Sequence, residues 1–286
     1  MKKFRTWSAY SVYVLLLGAF FVYILFPAEA VSRFIVARAA AVYPHVHLTI
    51  GDVSPILPPG LKLHPVVIEH YSGDVLTARE IRLYPRWLSL LGKQPTVAYT
   101  VAAGQGTIKG TAAVVGSAAD RQIYLDADLE GVRMGQLDLP QALSGYHLQG
   151  AVSGKLHYSE GKRRTADLQL TVADMTVTPP RPVMGIRKLH FENLRTEATL
   201  ENRDLKLHRV ILAGQQVNGE ISGEVVLARH LQNSDLSLGG TLQLNLKAGG
   251  PESALEKDNP GGGIALTGRV PVRIRGTLAN PKVSLR

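Results

Sequence analysis

Residues 217–227 read VNGEISGEVVL: Val217, Gly219, Ile221, Gly223, Val225 and Leu227 alternate with Asn218, Glu220, Ser222 and Glu224. Successive side chains of a strand point to opposite faces, so this order predicts a strand dry on one side and wet on the other. That is the pattern of antiparallel sheet. The same period recurs through much of the chain. Ile123, Leu125, Ala127 and Leu129 alternate with Tyr124, Asp126, Asp128 and Glu130, and Val152, Gly154, Leu156 and Tyr158 with Ser153, Lys155, His157 and Ser159. Leu236 to Leu246 and Ile264 to Ile274 repeat it.

Helical patterns are nearly absent from His45 onward, so no layer of helices is available to cover the apolar face. The sheet must close into a barrel, stack as a sandwich, or curl into a trough that shelters something else. Gly154, Gly219, Gly223, Gly240 and Gly268 fall on the apolar side of their strands. A missing side chain there permits sharp bending or the close approach of another backbone or ligand, which favours strong curvature. The expected fold is mainly β: a curled antiparallel sheet, trough- or sandwich-like, of roughly ten or more strands at usual strand lengths, with one or two short helices. Ile221, Val225, Leu242 and Leu244 are expected to face its interior as an apolar groove.

Working outward to the N-terminus, Trp7 to Phe26 lies within an uncharged run from Thr6 to Ala28. Twenty helical residues span roughly 30 Å, the thickness of a bilayer's hydrocarbon core. Trp7 and Tyr10 at one end, and Tyr23 and Phe26 at the other, suit anchoring at the interfaces. Lys2, Lys3 and Arg5 precede the run with no acidic residue, so the short N-terminus is expected in the cytoplasm and the bulk of the chain across the membrane. The alternative is a cleaved signal peptide with Ala28-Glu29-Ala30 as its site, although secretory apolar cores are usually shorter. The expected organisation is a cytoplasmic tip and transmembrane helix over 1–27, a juxtamembrane amphipathic helix over 28–44 and a β-domain over 45–286. The face of that second helix is expected to carry Val31, Phe34, Ile35, Ala39 and Val42, opposite Ser32 and Arg33. Pro85 to Gly92, with Trp87, Leu88 and Leu91, and Gln136 to Leu143 are expected to be short helices; 248–263, rich in Gly, Pro and charge, is expected to be a mobile loop.

The formal charge of +9 is spread thinly, and the densest cluster, Lys162-Arg163-Arg164, sits between two alternating runs as a hairpin tip. A nucleic-acid surface, which needs clustered cations interleaved with aromatics, is not expected. With no cysteine, thiol chemistry and cysteine-ligated metals are excluded. His45 and His47 share a strand face without a third ligand nearby. Asp126 with Asp128, and Glu220 with Glu224, read as solvated positions of wet strand faces. Gly104-Gln105-Gly106 reads as a turn, and no nucleotide or hydrolase motif is present. No catalytic residue, metal or cofactor is expected.

After Phe26-Pro27, the run Gly60 to Gly110 contains GLKLHPVVIE and VLTAREIRLYPRWLSLLGKQPTVAYTVAAGQGTIKG, and Gly268 to Arg286 reads GRVPVRIRGTLANPKVSLR. These segments resemble the opening and closing of AsmA-like periplasmic proteins, and more closely those of the inner-membrane family called type II secretion system protein N. Between them the likeness is one of glycine-punctuated strands. The resemblance implies a non-enzymatic, single-pass inner-membrane subunit whose periplasmic β-domain binds other type II secretion components. Its alternative is a lipid-binding or lipid-handling envelope protein that takes phospholipid. It carries over no catalytic residue.

Overall fold

The computed structural model describes the chain except residues 1–9, 11, 12, 15, 16, 19, 22, 44, 45, 58, 71–74, 87, 88, 90, 91, 93, 117–119, 138–144, 179–187, 246–266 and 286. Helix α1 (Ala28–Val42) precedes fifteen strands. The first six are β1 (Val46–Ile56), β2 (Gly60–His70), β3 (Val75–Ala78), β4 (Glu80–Pro85), β5 (Thr96–Ala103) and β6 (Gly106–Val115). They continue as β7 (Gln122–Arg133), β8 (His147–Glu160), β9 (Arg164–Thr178), β10 (Leu189–Glu201) and β11 (Asp204–Ala213). The last four are β12 (Val217–Val226), β13 (Asp235–Asn245), β14 (Thr267–Thr277) and β15 (Pro281–Leu285).

All fifteen belong to one antiparallel sheet in which almost every strand pairs with its neighbour in sequence. The exception is local. β3 and β4 both lie along β2, interrupted at Arg79, whose amide donates to the Ala102 carbonyl at 3.2 Å. Antiparallel neighbours need no crossover, so this order requires only local connections. At Gly104-Gln105, φ values of 52° and 60° give the doubly left-handed corner that matches strand twist, so the glycine turn expected there is present. Lys162 and Arg163 stand exposed at the tip between β8 and β9, as expected of a solvated hairpin.

The predicted alternation becomes two continuous rows once the register is followed. One runs Tyr99, Gly110, Ala127, Leu156, Leu168, Ala198, Leu207, Gly223, Leu238, Ile274, Val283 from β5 to β15. One residue along each strand, the other face presents Thr111, Asp126, His157, Asp167, Thr199, Lys206, Glu224, Ser237, Arg275 and Lys282. Separating the two sets across ten strands keeps the sheet in register, because a one-residue slip would exchange them.

The buried core is small: single residues on the middle strands, among them Ala127, Val132, Ala166, Val172 and Ala198, and two packed clusters. Val53, Leu63, Val66 and Ala78 form one cluster, on which Phe26, Val31 and Ile35 pack from the N-terminal side. Phe191 and Val217 form another, with Met175, Val177, Leu189, Leu212, Leu242 and Val270 against them. Along the apolar row Leu156, Leu168, Leu207, Leu238 and Ile274 are half-buried, while Ala127 and Ala198 are buried.

Helix α1 occupies the segment where the second helix was expected, and Val31, Ile35 and Ala39 face inward with Arg33 exposed as expected, while Phe34 and Ser32 exchange their expected sides. Val31 and Ile35 pack on the first cluster, whereas Phe34 is 69% exposed and Ser32 is half-buried. At 100° per residue, the positions that follow Val31 and Ile35 are Ala28, Ser32 and Ala39, and Phe34 falls on the flank. Ahead of α1, the described residues from Tyr10 to Ile24 are helical. Among the described residues no helix is long and apolar enough to cross a membrane. Trp7 lies outside the described residues, as do Trp87, Leu88 and Leu91 of the short helix expected over Pro85 to Gly92. Of the other expected short helix, Gln136 closes a single 3-10 turn, Met134–Gln136, Leu137 is not helical, and 138–143 lie outside the described residues. So does the whole of 248–263.

Candidate functional site

Two features single out a site: the half-buried apolar face and a polar cluster at one end of it. On β8, Leu156, Tyr158 and Glu160 share one side, so a carboxylate stands where the alternation calls for an apolar residue. Its Oε2 accepts hydrogen bonds from the Tyr158 and Tyr43 hydroxyls, each at 2.9 Å. Its Oε1 accepts from the Arg164 Nε, also at 2.9 Å. Tyr43 immediately follows α1, and 117 residues separate it from Glu160. The cluster therefore ties the helix end to the β8–β9 hairpin.

The protonation states follow from these contacts. Burial alone would raise the Glu160 carboxyl, but the two tyrosine hydrogen bonds and the Arg164 guanidinium outweigh it and hold the group below its ordinary range. Tyr158 is pushed up to about 12, by burial first and then by its hydrogen bond to Glu160. Tyr43 rises for the same two reasons. At neutral pH the cluster thus contains a carboxylate, a guanidinium and two neutral phenols. Sequence reading missed it, although a Glu at an apolar parity position was a visible signal.

Of the residues expected to line the groove, Ile221, Val225 and Leu242 share one face, since they stand opposite Gly240, Leu236 and Gly219 in the β12–β13 ladder. Val225 is buried, and Leu242 belongs to the second core cluster. Leu244 pairs with Val217 and Gly268; its side chain lies outside the described residues. Of the expected anchor residues, Tyr10 and Tyr23 are 69% and 58% exposed, whereas Phe26 packs on the first core cluster.

The glycines of the apolar face do what close approach demands, with one exception. A Cβ at Gly154 would lie 2.0 Å from the Gln169 carbonyl oxygen, and one at Gly240 2.1 Å from that of Glu220. Gly154 also has φ +152°, a region that other residues rarely adopt. Around Gly268, by contrast, there is open space. Register shifts add local kinks at Leu129/Val132, Gln149/Ala151 and Leu207/Val210, where the ladders lose step.

On the wet face, polar groups pair across strands: Lys109 with Glu130 at 2.8 Å and Arg209 with Glu220 at 2.9 Å as ion pairs, and His157 with Asp126 at 2.6 Å as a hydrogen bond. All are more than half exposed, so each contributes about 0–1 kcal/mol. His45 lies outside the described residues, and His47 pairs with Glu69 in the β1–β2 ladder. Among the described residues no three metal-ligating side chains converge.

The chain matches no family model, no curated protein and no solved structure.

Proposed function

We propose that the protein is a non-enzymatic, inner-membrane-anchored periplasmic subunit of a type II protein secretion system, acting by protein–protein binding in assembly or stabilisation. The observation that carries this is the open sheet: β1 and β15 end a fifteen-strand meander, and neither has a second neighbour among the described residues. Unpaired main chain along a sheet edge is a ready site for a partner strand. The polar side chains support the same reading, because they are engaged with one another over an exposed face. The anchor is supported by Tyr13, Phe20, Phe21, Ile24 and Leu25, which are 52–70% exposed. Large apolar groups so placed suit a hydrocarbon surrounding.

The sheet, on this reading, is curled into a trough with its apolar face inside. Six strand spacings separate β1 from β8 in the sheet, roughly 29 Å if it were flat. Tyr43, three residues ahead of β1, nevertheless hydrogen-bonds to the last residue of β8. The close-approach glycines and the lost register steps supply the bending. A second reading, a lipid-handling envelope protein, is favoured by one observation: the central apolar row is half-buried and suits acyl chains.

Deletion of the gene separates the two. The first reading expects less folded exoprotein outside the cell, with export across the inner membrane intact. Unchanged exoprotein levels together with altered outer-membrane lipid composition refute it and promote the second. Native mass spectrometry of the purified protein then shows bound phospholipid if the second reading holds.

A further inference from the structure

The last two strands differ from the rest of the wet face. Between Thr267 and Leu285 there are four cations, Arg269, Arg273, Arg275 and Lys282, and no carboxylate. All four side chains are exposed, and the register sets Arg275 directly opposite Lys282. Elsewhere on this face Lys109 bonds Glu130 and Arg209 bonds Glu220, and the register sets Lys155 opposite Asp128 and Lys206 opposite Glu224. The cations of β14 and β15 have no acidic partner among the described residues. They border the sheet edge, where β15 pairs, among the described residues, with β14 alone.

The opposite face of the same edge is also incomplete. Val283 continues the apolar row beyond Ile274 and is 41% exposed, whereas the row's inner members shield one another. An added strand would therefore meet main chain that has no further partner among the described residues, a basic stripe on one side and an exposed valine on the other. We infer that the β15 edge is a docking site for an extended segment of a partner protein, about five residues long, whose apolar and acidic residues alternate. Its apolar residues extend the dry row past Val283; its carboxylates stand beside Lys282, with Arg273 and Arg275 one strand further in. Positive charge deters a second β15 from pairing with this edge and selects a partner of opposite sign. The β1 edge of another copy is a poor substitute, since Asp52 is its single acid. This inference deepens the binding reading above by naming the surface and the chemistry of what it takes.

The test uses the full-length protein in detergent micelles and a fluorescein-labelled peptide of alternating Val and Glu. Controls are the same peptide with Lys for Glu, with a central Pro, and with Ser for Val. Fluorescence anisotropy is expected to show saturable binding of the Val–Glu peptide alone. Binding should weaken at least tenfold in Arg273→Glu/Arg275→Glu, and similarly though less in Arg273→Gln/Arg275→Gln, with the denaturation midpoint unchanged because both side chains are exposed. Amides of 281–285 should exchange more slowly when the peptide is bound. No binding, equal binding of the Pro or Ser peptide, binding that survives charge reversal, or protection elsewhere on the sheet overturns the inference. So does a dimer joining β15 of one copy to β1 of another, detected by sedimentation. A negative peptide result leaves the gene-deletion outcome untouched, so the two failures are distinguishable.

Discussion

Val225→Asp tests whether the apolar face is dry. Val225 is 7% exposed on β12, flanked in the ladders by Leu205 and Leu236. Losing its buried methyls removes about 2 kcal/mol of transfer free energy. Placing a polar group among those neighbours costs about 1–3 kcal/mol more on mutational scales, so the variant should lose about 3–5 kcal/mol at neutral pH. The pH dependence is the sharper readout. Burial raises the folded-state pKa of the new carboxyl above its unfolded value of about 3.9, at about 1.4 kcal/mol for each unit. That part of the penalty is fully present above the folded pKa, shrinks as pH falls through it, and vanishes below the unfolded one. Val225→Asn carries the polar cost without the charge and should show no such slope. Urea denaturation from pH 7 to pH 3.5, with Glu224→Ala on the wet face as reference, decides it. If Val225→Asp is no worse than Glu224→Ala, or tracks Val225→Asn at every pH, water reaches Val225 and the face is not dry.

Two further outcomes follow from the cluster and the glycines. Tyr43→Phe should cost about 0.5–1 kcal/mol, the lower part of the range for a hydrogen bond because Tyr43 is 41% exposed. Glu160→Gln should cost more by leaving Arg164 without its carboxylate. Because the folded Glu160 pKa is depressed, its contribution is present above the unfolded value of about 4.5 and lost as pH falls through the folded one, so the wild-type and Glu160→Gln stabilities should converge in acid when measured by urea denaturation. Gly154→Ala, with its Cβ 2.0 Å from a neighbouring carbonyl, should destabilise by about 2 kcal/mol or more. Gly268→Ala, in open space, should be neutral or stabilising by up to about 1 kcal/mol; equal effects at the two glycines would refute the close-approach argument.

Much of this architecture is written locally. Strand parity depends on nothing beyond the next residue, so the alternation at 123–130, 152–158, 217–225 and 236–242 already separated the wet residues from the dry ones. Antiparallel neighbours joined by tight turns need no distant information, which is why Gly104-Gln105 and Lys162-Arg163 were legible as corners. Other features depend on how many strands turn together. The lost register step at Leu207/Val210 puts residues three apart on the same face, and no single-strand pattern contains that change. Phe34 reads as part of an apolar stripe, yet the surface under α1 accepts Val31 and Ile35 and leaves Phe34 outside. Tyr43 and Glu160, 117 residues apart, meet only in the folded chain, where the end of a helix reaches the tip of a hairpin. The sequence by itself determined which face of each strand is dry, since that is set residue by residue. Where that face begins, bends and is tied off was decided by tertiary structure, because summed twist and bulge geometry belong to the whole sheet.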